Sequence, residues 1–302
     1  MSAIVGNMPS SHDWVSAAWN GSVFCAVARG AAVAATSPDG LTWTERVLPS
    51  TNYWEKIVWN GSVFCAVSSN HPAGTSMLIT SSDGITWNDR GPTDLNYWSY
   101  GLAWGGGVFC VPDGLGNTNI TSPDGITWTG HGLPDNRIWG KIAWNGSLFC
   151  LSTMSSVESY VVTSTDGATW TVRTLPVSSQ WSAIEGGGGR FCLFSAYVTN
   201  LVLTSVDGIN WTASTMPASR WWKHVKSNGA AFCAIGPTST NTAAVSIDGL
   251  TWSLKSLPIS DTWTGITSNN SHFCLLSNTH SVIIDDWSTF WCNFKGQSET
   301  IL

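Results

Sequence analysis

The chain has 302 residues, of which 43% are hydrophobic and only 11% charged, and its net charge is −6. Lys and Arg form no cluster along it, so the field that draws proteins to nucleic acid or anionic lipid is missing, and neither is expected as a partner. No run approaches ~18 apolar residues and no basic stretch leads into an apolar one at the start, so we expect no membrane insertion, no signal peptide and folding in a cytoplasm.

In chain order, Ala3 to Pro9 is the first candidate strand, and it reaches Trp14 with the same Pro-to-Trp spacing as Pro49 to Trp54. A repeat then begins. Its first copy runs Trp14, Asn20-Gly21, Phe24-Cys25, Ser37-Pro38-Asp39-Gly40-Leu41-Thr42-Trp43 and Pro49, and further copies start near Trp54, Trp98, Trp139, Trp181, Trp222 and Trp263. The Phe-Cys step recurs after 40, 45, 40, 42, 41 and 41 residues, a period typical of propeller repeats. The runs between turns are short and rich in β-branched and aromatic residues, with no sustained helical period, so each copy reads as four strands. The first two strands are joined by Asn-Gly at residues 20, 60, 145 and 228, which supplies the positive φ angles of a tight hairpin.

A lone four-stranded meander cannot bury both faces, so neighbouring copies must cover one another and the ring must close. The expectation is therefore one all-β domain over residues 1–302, a seven-bladed β-propeller of four-stranded antiparallel blades. Its ring is closed by the N-terminal strand, by the C-terminal segment Phe290 to Phe294, or by both. Seven of the eight cysteines occupy one equivalent strand position. Packed sheets lie roughly 10 Å apart, beyond the roughly 7 Å Cα reach of a disulfide, so free buried thiols are expected.

The Ser-x-Asp-Gly-x-Thr-Trp turn, led by Asp39, Asp83, Asp124, Asp166, Asp207 and Asp248, resembles the Asp-box of sialidase-like propellers, with one residue fewer between Asp and Gly. The whole repeat, with its WNGSVFCAV and TSPDGLTWT runs, is also similar to repeats of bacteriophage tail and virion proteins. What the resemblance implies is structural: the Asp accepts backbone N–H bonds at the head of a turn, and the Trp packs on the neighbouring blade. Sialidase chemistry would further need converging arginines, a Tyr nucleophile paired with a Glu, and a Phe/Tyr-Arg-Ile-Pro motif, which is absent here. The histidines stand singly and no nucleophile elbow or phosphate loop occurs, so no catalysis, cofactor or metal is expected.

Binding is then the expected role. The leading Trp ring reads as packing between blades, while Trp19, Trp59, Trp104 and Trp144 precede the first hairpin turn in four copies only. The loops just before the leading Trp are variable and carry Tyr53, Tyr97, Arg137, Arg220 and Trp221, and the long loop of the second copy carries His71. Aromatic plates beside polar groups suit sugars, so these six are the expected ligand-binding residues. The corresponding role is a phage tail or tail-fibre-associated propeller in the virion, with a host surface glycan or receptor as partner. The alternative is a structural virion protein that docks another virion subunit.

Overall fold

The computed structural model describes residues 3–69, 77–92, 99–114, 116–154, 157–196 and 199–284. Every regular element among them is a strand, and no helix is long and apolar enough to cross a membrane. Strand β1 (Ala3–Asn7) precedes β2 (Asp13–Trp19), β3 (Phe24–Ser37), β4 (Thr44–Trp59), β5 (Phe64–Ser69), β6 (Met77–Ser81) and β7 (Asn88–Pro92). The later repeats continue the meander, for example as Trp139–Trp144, Phe149–Thr153, Glu158–Ser164 and Thr171–Ser179.

The strands form an antiparallel propeller of six hydrogen-bonded sheets, five with four strands and one with six. The expectation of seven separate blades is thus corrected to six, and the cause is a single junction. Tyr53 of β4 pairs with Arg29 of β3 on one side and with Ser69 of β5 on the other, so the chain passes from the first repeat to the second without leaving the sheet. At the equivalent junctions of later repeats Ile138, Gln180 or Thr262 falls outside the strands, and the sheet ends there.

Closure is made by the N-terminus. β1 lies antiparallel to His280–Ile284, with Ala3 opposite Ile284 and Asn7 opposite His280, and so completes the last sheet. The alternative closing segment, Phe290 to Phe294, lies outside the described residues. The ring is sealed at the axis by Thr264 Oγ1, which donates to the Trp14 carbonyl at 2.7 Å.

The core lies between sheets. Trp14, Trp54, Trp139, Trp181, Trp222 and Trp263 are fully buried, as are the Phe-Cys pairs that face them, and all seven described cysteines are free. Each Asp-led turn caps this packing. Ser37 Oγ donates to Asp39 Oδ1 and accepts from the Gly40 N–H, while Asp39 Oδ1 accepts the N–H groups of Leu41 and Thr42 at 2.8 Å. The same bonds recur around Asp83, Asp124, Asp166, Asp207 and Asp248.

Candidate functional site

The innermost strands stand around a central channel. At one end they enclose a cavity of about 220 Å³ whose walls come chiefly from the residues just after each leading Trp. These are Val15 and Ser16, Glu55 and Lys56, Tyr100, Lys141, Ser182, Lys223 and His224, and Thr264, joined by Asp13 and Arg29 from the first sheet. A second cavity of about 240 Å³ continues the channel and shares Lys56, Leu102, Ile142, Glu185 and Ile266 with the first.

The charge of the channel opposes that of the molecule. Arg29, Lys56, Lys141, Lys223 and Lys226 line it, against Asp13, Glu55 and Glu185. Two cations are neutralised. Arg29 meets Glu55 at 2.5 Å and Asp13 at 3.5 Å, and Ser69 Oγ donates to the other Glu55 oxygen at 2.7 Å. Lys226 meets Glu185 at 2.9 Å, and that carboxylate also accepts the Ser227 N–H. Lys56 and Lys141 have no hydrogen-bond or ion-pair partner among the described residues, and Lys223 has only the face of Trp221, 5.5 Å from its ammonium.

Desolvation and mutual repulsion show in the titration of these groups. Burial pushes the Lys141 ammonium down to about 8, against the pull of Glu55 and with the help of Lys56, Lys223 and Arg29. Burial lowers Lys56, with Lys226 adding to the shift, and lowers Lys223, with Arg29 adding. Burial also drives the His224 imidazole well below its ordinary value, and Lys223, Lys141, Lys56 and Arg29 reinforce this, so it is neutral at pH 7. His224 Nε2 is buried without a hydrogen-bond partner. A neutral donor-acceptor ring and under-neutralised ammonium groups in a confined, partly desolvated space favour a group that brings negative charge and acceptor oxygens.

The loop residues expected to bind ligand divide. Trp221 is 38% exposed and its ring carries the Lys223 ammonium, which puts it at the rim of this mouth. Tyr53, half exposed, immediately precedes the leading Trp of its repeat. Arg137 is engaged within its own sheet, paired with Asp135 and Glu158 and stacked over Tyr160 at 5.3 Å. Arg220 donates to Thr240 and Thr242 and lies 5.1 Å over Trp222. Tyr97 and His71 lie outside the described residues. The charged interior lies on the residues that follow each leading Trp, not on the loops that precede it. The signal was available: the second residue after that Trp is Lys56, Tyr100, Lys141 or His224 in four repeats and small in the others.

No protein-family model and no curated protein sequence matches the chain. Solved structures do, and the class they define is the β-propeller. Virginiamycin B lyase from Staphylococcus aureus superposes with a TM-score of 0.80 at 10% identity, covering 94% of this chain and 99% of the lyase. YCF48 bound to D1 peptide superposes with a TM-score of 0.71 at 15% identity, covering 94% of each chain. The WD40 propeller domain of Doa1 gives 0.63 at 11% identity, covering 94% of this chain and 99% of that domain.

These matches establish the fold and correct two expectations. The likeness to seven-bladed sialidase-like propellers gives way to a six-bladed count and to lyase and WD40 neighbours. The expectation of a chain without catalysis, drawn from missing motifs, is corrected in one respect: the fold is shared with enzymes, so missing motifs do not exclude catalysis. None of the three matches described names a virion protein or a sugar.

Proposed function

We propose that this propeller binds a small ligand bearing a carboxylate or phosphate in the mouth of its central channel. The observation that carries the reading is the pair of ammonium groups on Lys56 and Lys141, which have no hydrogen-bond or ion-pair partner among the described residues. Buried cations are ordinarily paired, because an unpaired one costs desolvation energy without return, so an arrangement of this kind suits an anion that arrives from outside. Lys223 and Trp221 at the rim extend the site to a ring-bearing ligand. An acidic sugar would set its carboxylate among the lysines and a C–H face on Trp221, and host-glycan recognition by a virion protein enters the reading in that form. YCF48, a propeller of similar fold, is solved bound to D1 peptide, so a binding role is compatible with this fold.

The test is isothermal calorimetry with citrate and with inorganic phosphate at low salt. Saturable binding is expected, weakened about tenfold or more by Lys141→Met and unchanged by Lys255→Met on an outer strand, with affinity falling as salt screens the attraction. Equal affinity in both variants would refute the site.

A catalytic reading has its own observation, the buried and unpartnered Nε2 of neutral His224, which has the protonation state a general base needs. The lyase structure with quinupristin names the probe. Consumption of quinupristin followed by chromatography, and lost in His224→Ala, would support it, and an unchanged compound would remove this lyase reading.

A further inference from the structure

The other end of the channel differs in chemistry. Trp19, Trp59, Trp104 and Trp144 line it as an arc from consecutive repeats, whereas the later repeats contribute Gly186, Thr267 and Ser268 together with the paired Glu185 and Lys226. Part of each indole is committed to the fold. The rings lie 4.5 to 4.7 Å from Phe24, Phe64, Phe109 and Phe149 at interplanar angles of 48 to 58°, and Trp144 covers Gly105, where any Cβ would sit 2.1 Å from the indole. Each ring nevertheless remains partly exposed, and none of the four indole N–H groups has an acceptor among the described residues.

The leading tryptophans provide the contrast. Trp14, Trp139, Trp181, Trp222 and Trp263 are fully buried and donate to backbone carbonyls at 2.9 to 3.2 Å. Indoles used for packing in this molecule therefore find acceptors, with Trp54 and the turn residue Trp128 as exceptions. The arc does not follow that pattern. Beside it, Thr267 is 1% exposed, lines the same cavity, and has a buried hydroxyl without a hydrogen-bond partner. Besides the Lys56 ammonium shared with the first cavity, the unused groups at this end are donors carried on apolar plates and the hydroxyl of Thr267, while the Ser268 hydroxyl donates to the Ser227 carbonyl.

We infer that this end of the channel is a second binding site, for a neutral saccharide. A pyranose supplies both complements: a C–H face for the exposed part of an indole, and hydroxyl oxygens that accept from indole N–H groups. Gly186 and Ser268 stand where the first four repeats carry Trp, so the arc faces small residues across the cavity. Its indoles and Thr267 take no part in the anion site, although Lys56, Glu185, Leu102, Ile142 and Ile266 border both cavities, and its ligand carries no charge.

Chitohexaose, cellohexaose and maltohexaose are the probes. The expected result is saturable binding of at least one of them at up to about 10 mM, weak as an uncharged, solvent-facing site would be. The Trp104→Phe/Trp144→Phe double variant keeps an aromatic ring against Phe109 and Phe149 and removes two donors. It should lose about fivefold or more in affinity, while Lys141→Met binds the sugar as the parent does. Indole N–H resonances of the 15N-labelled protein give an independent readout, since those absent from the double variant should be among the signals that move on titration. No binding by any of the three sugars, or undiminished binding by a folded double variant, would overturn the inference. Citrate binding then stands or falls separately.

Discussion

At the residue scale the repeat works because one glycine meets two demands. Gly249 holds φ +69°, and a Cβ on it would lie 2.5 Å from Cys192 Sγ of the neighbouring sheet; a Cβ on Gly40 or Gly84 would come within 3.3 Å of Cys274 Sγ or 3.2 Å of Cys25 Sγ, and nearer still to Ile283 or Thr36. The turn therefore needs both a left-handed backbone and bare space over a buried thiol. Gly249→Ala should destabilise by about 1–3 kcal/mol, from strain plus overpacking, as read from urea denaturation midpoints. The aspartates above those glycines make a pH prediction. Backbone N–H donors at Thr86, Thr127, Thr169 and Asn210 hold Asp83, Asp124, Asp166 and Asp207 below the usual carboxylate range. Their stabilisation is fully present above the ordinary carboxylate pKa of about 4 and is lost as pH falls through the lower folded values. Asp207→Asn should lower the thermal midpoint at neutral pH and narrow the gap from the parent as the medium is acidified.

Elements show how much hangs on strand edges. β1 is short and only partly buried, yet without it His280–Ile284 would present an unpaired edge that leaves the ring unsealed. Its fit is tight at Gly6, where a Cβ would meet the Leu41 carbonyl oxygen at 2.4 Å. Deleting residues 1–8, or substituting Gly6→Val, should lower the thermal midpoint and promote association, measured by calorimetry and light scattering, whereas Ile4→Thr on the exposed side of β1 should leave both nearly unchanged. The joined strand β4 marks the limit of reading elements from sequence. By spacing alone, Pro49 ends one repeat and Trp54 begins the next, with a loop between. The pairing of Asn52 with Ala31, and of Tyr53 with Arg29 and Ser69, turned that loop into continuous strand and changed the number of blades.

On the scale of the whole molecule, the channel sets cations together in a protein that is acidic overall. If Lys141 is held for binding, it should cost stability when no anion is present. Lys141→Met is expected to raise the thermal midpoint by a few degrees at pH 7 while weakening citrate binding. With the folded ammonium at about 8 and the unfolded one near 10.4, the unfolded chain holds the extra proton between these values. Stability from this group therefore rises with pH across that window, and the Met variant should lack that component of the slope. Citrate affinity should move the opposite way, falling as pH rises through about 8, because the ligand needs the charged form.

The repeat, the all-β meander, the Asp-led turns and the burial of the leading Trp and Phe-Cys positions are legible in the chain without its fold. Each of these is written in local spacing: a two-residue turn, an alternating strand, a glycine at a fixed offset from an aspartate. The sequence also held Lys56, Lys141, Lys223 and His224 in plain view, but 85 residues separate Lys56 from Lys141 and 82 separate Lys141 from Lys223, so nothing local marks them as neighbours. Only the closed ring brought them to one axis, because the residues after each leading Trp line the central channel. Tertiary structure likewise decided the blade count, through one residue of strand pairing at Tyr53, and decided that Arg137 and Arg220 are engaged within their own sheets. The physical reason is the same throughout. Turns and strand periodicity are short-range properties that a sequence states directly, while a channel's charge depends on which distant strands face one another across it.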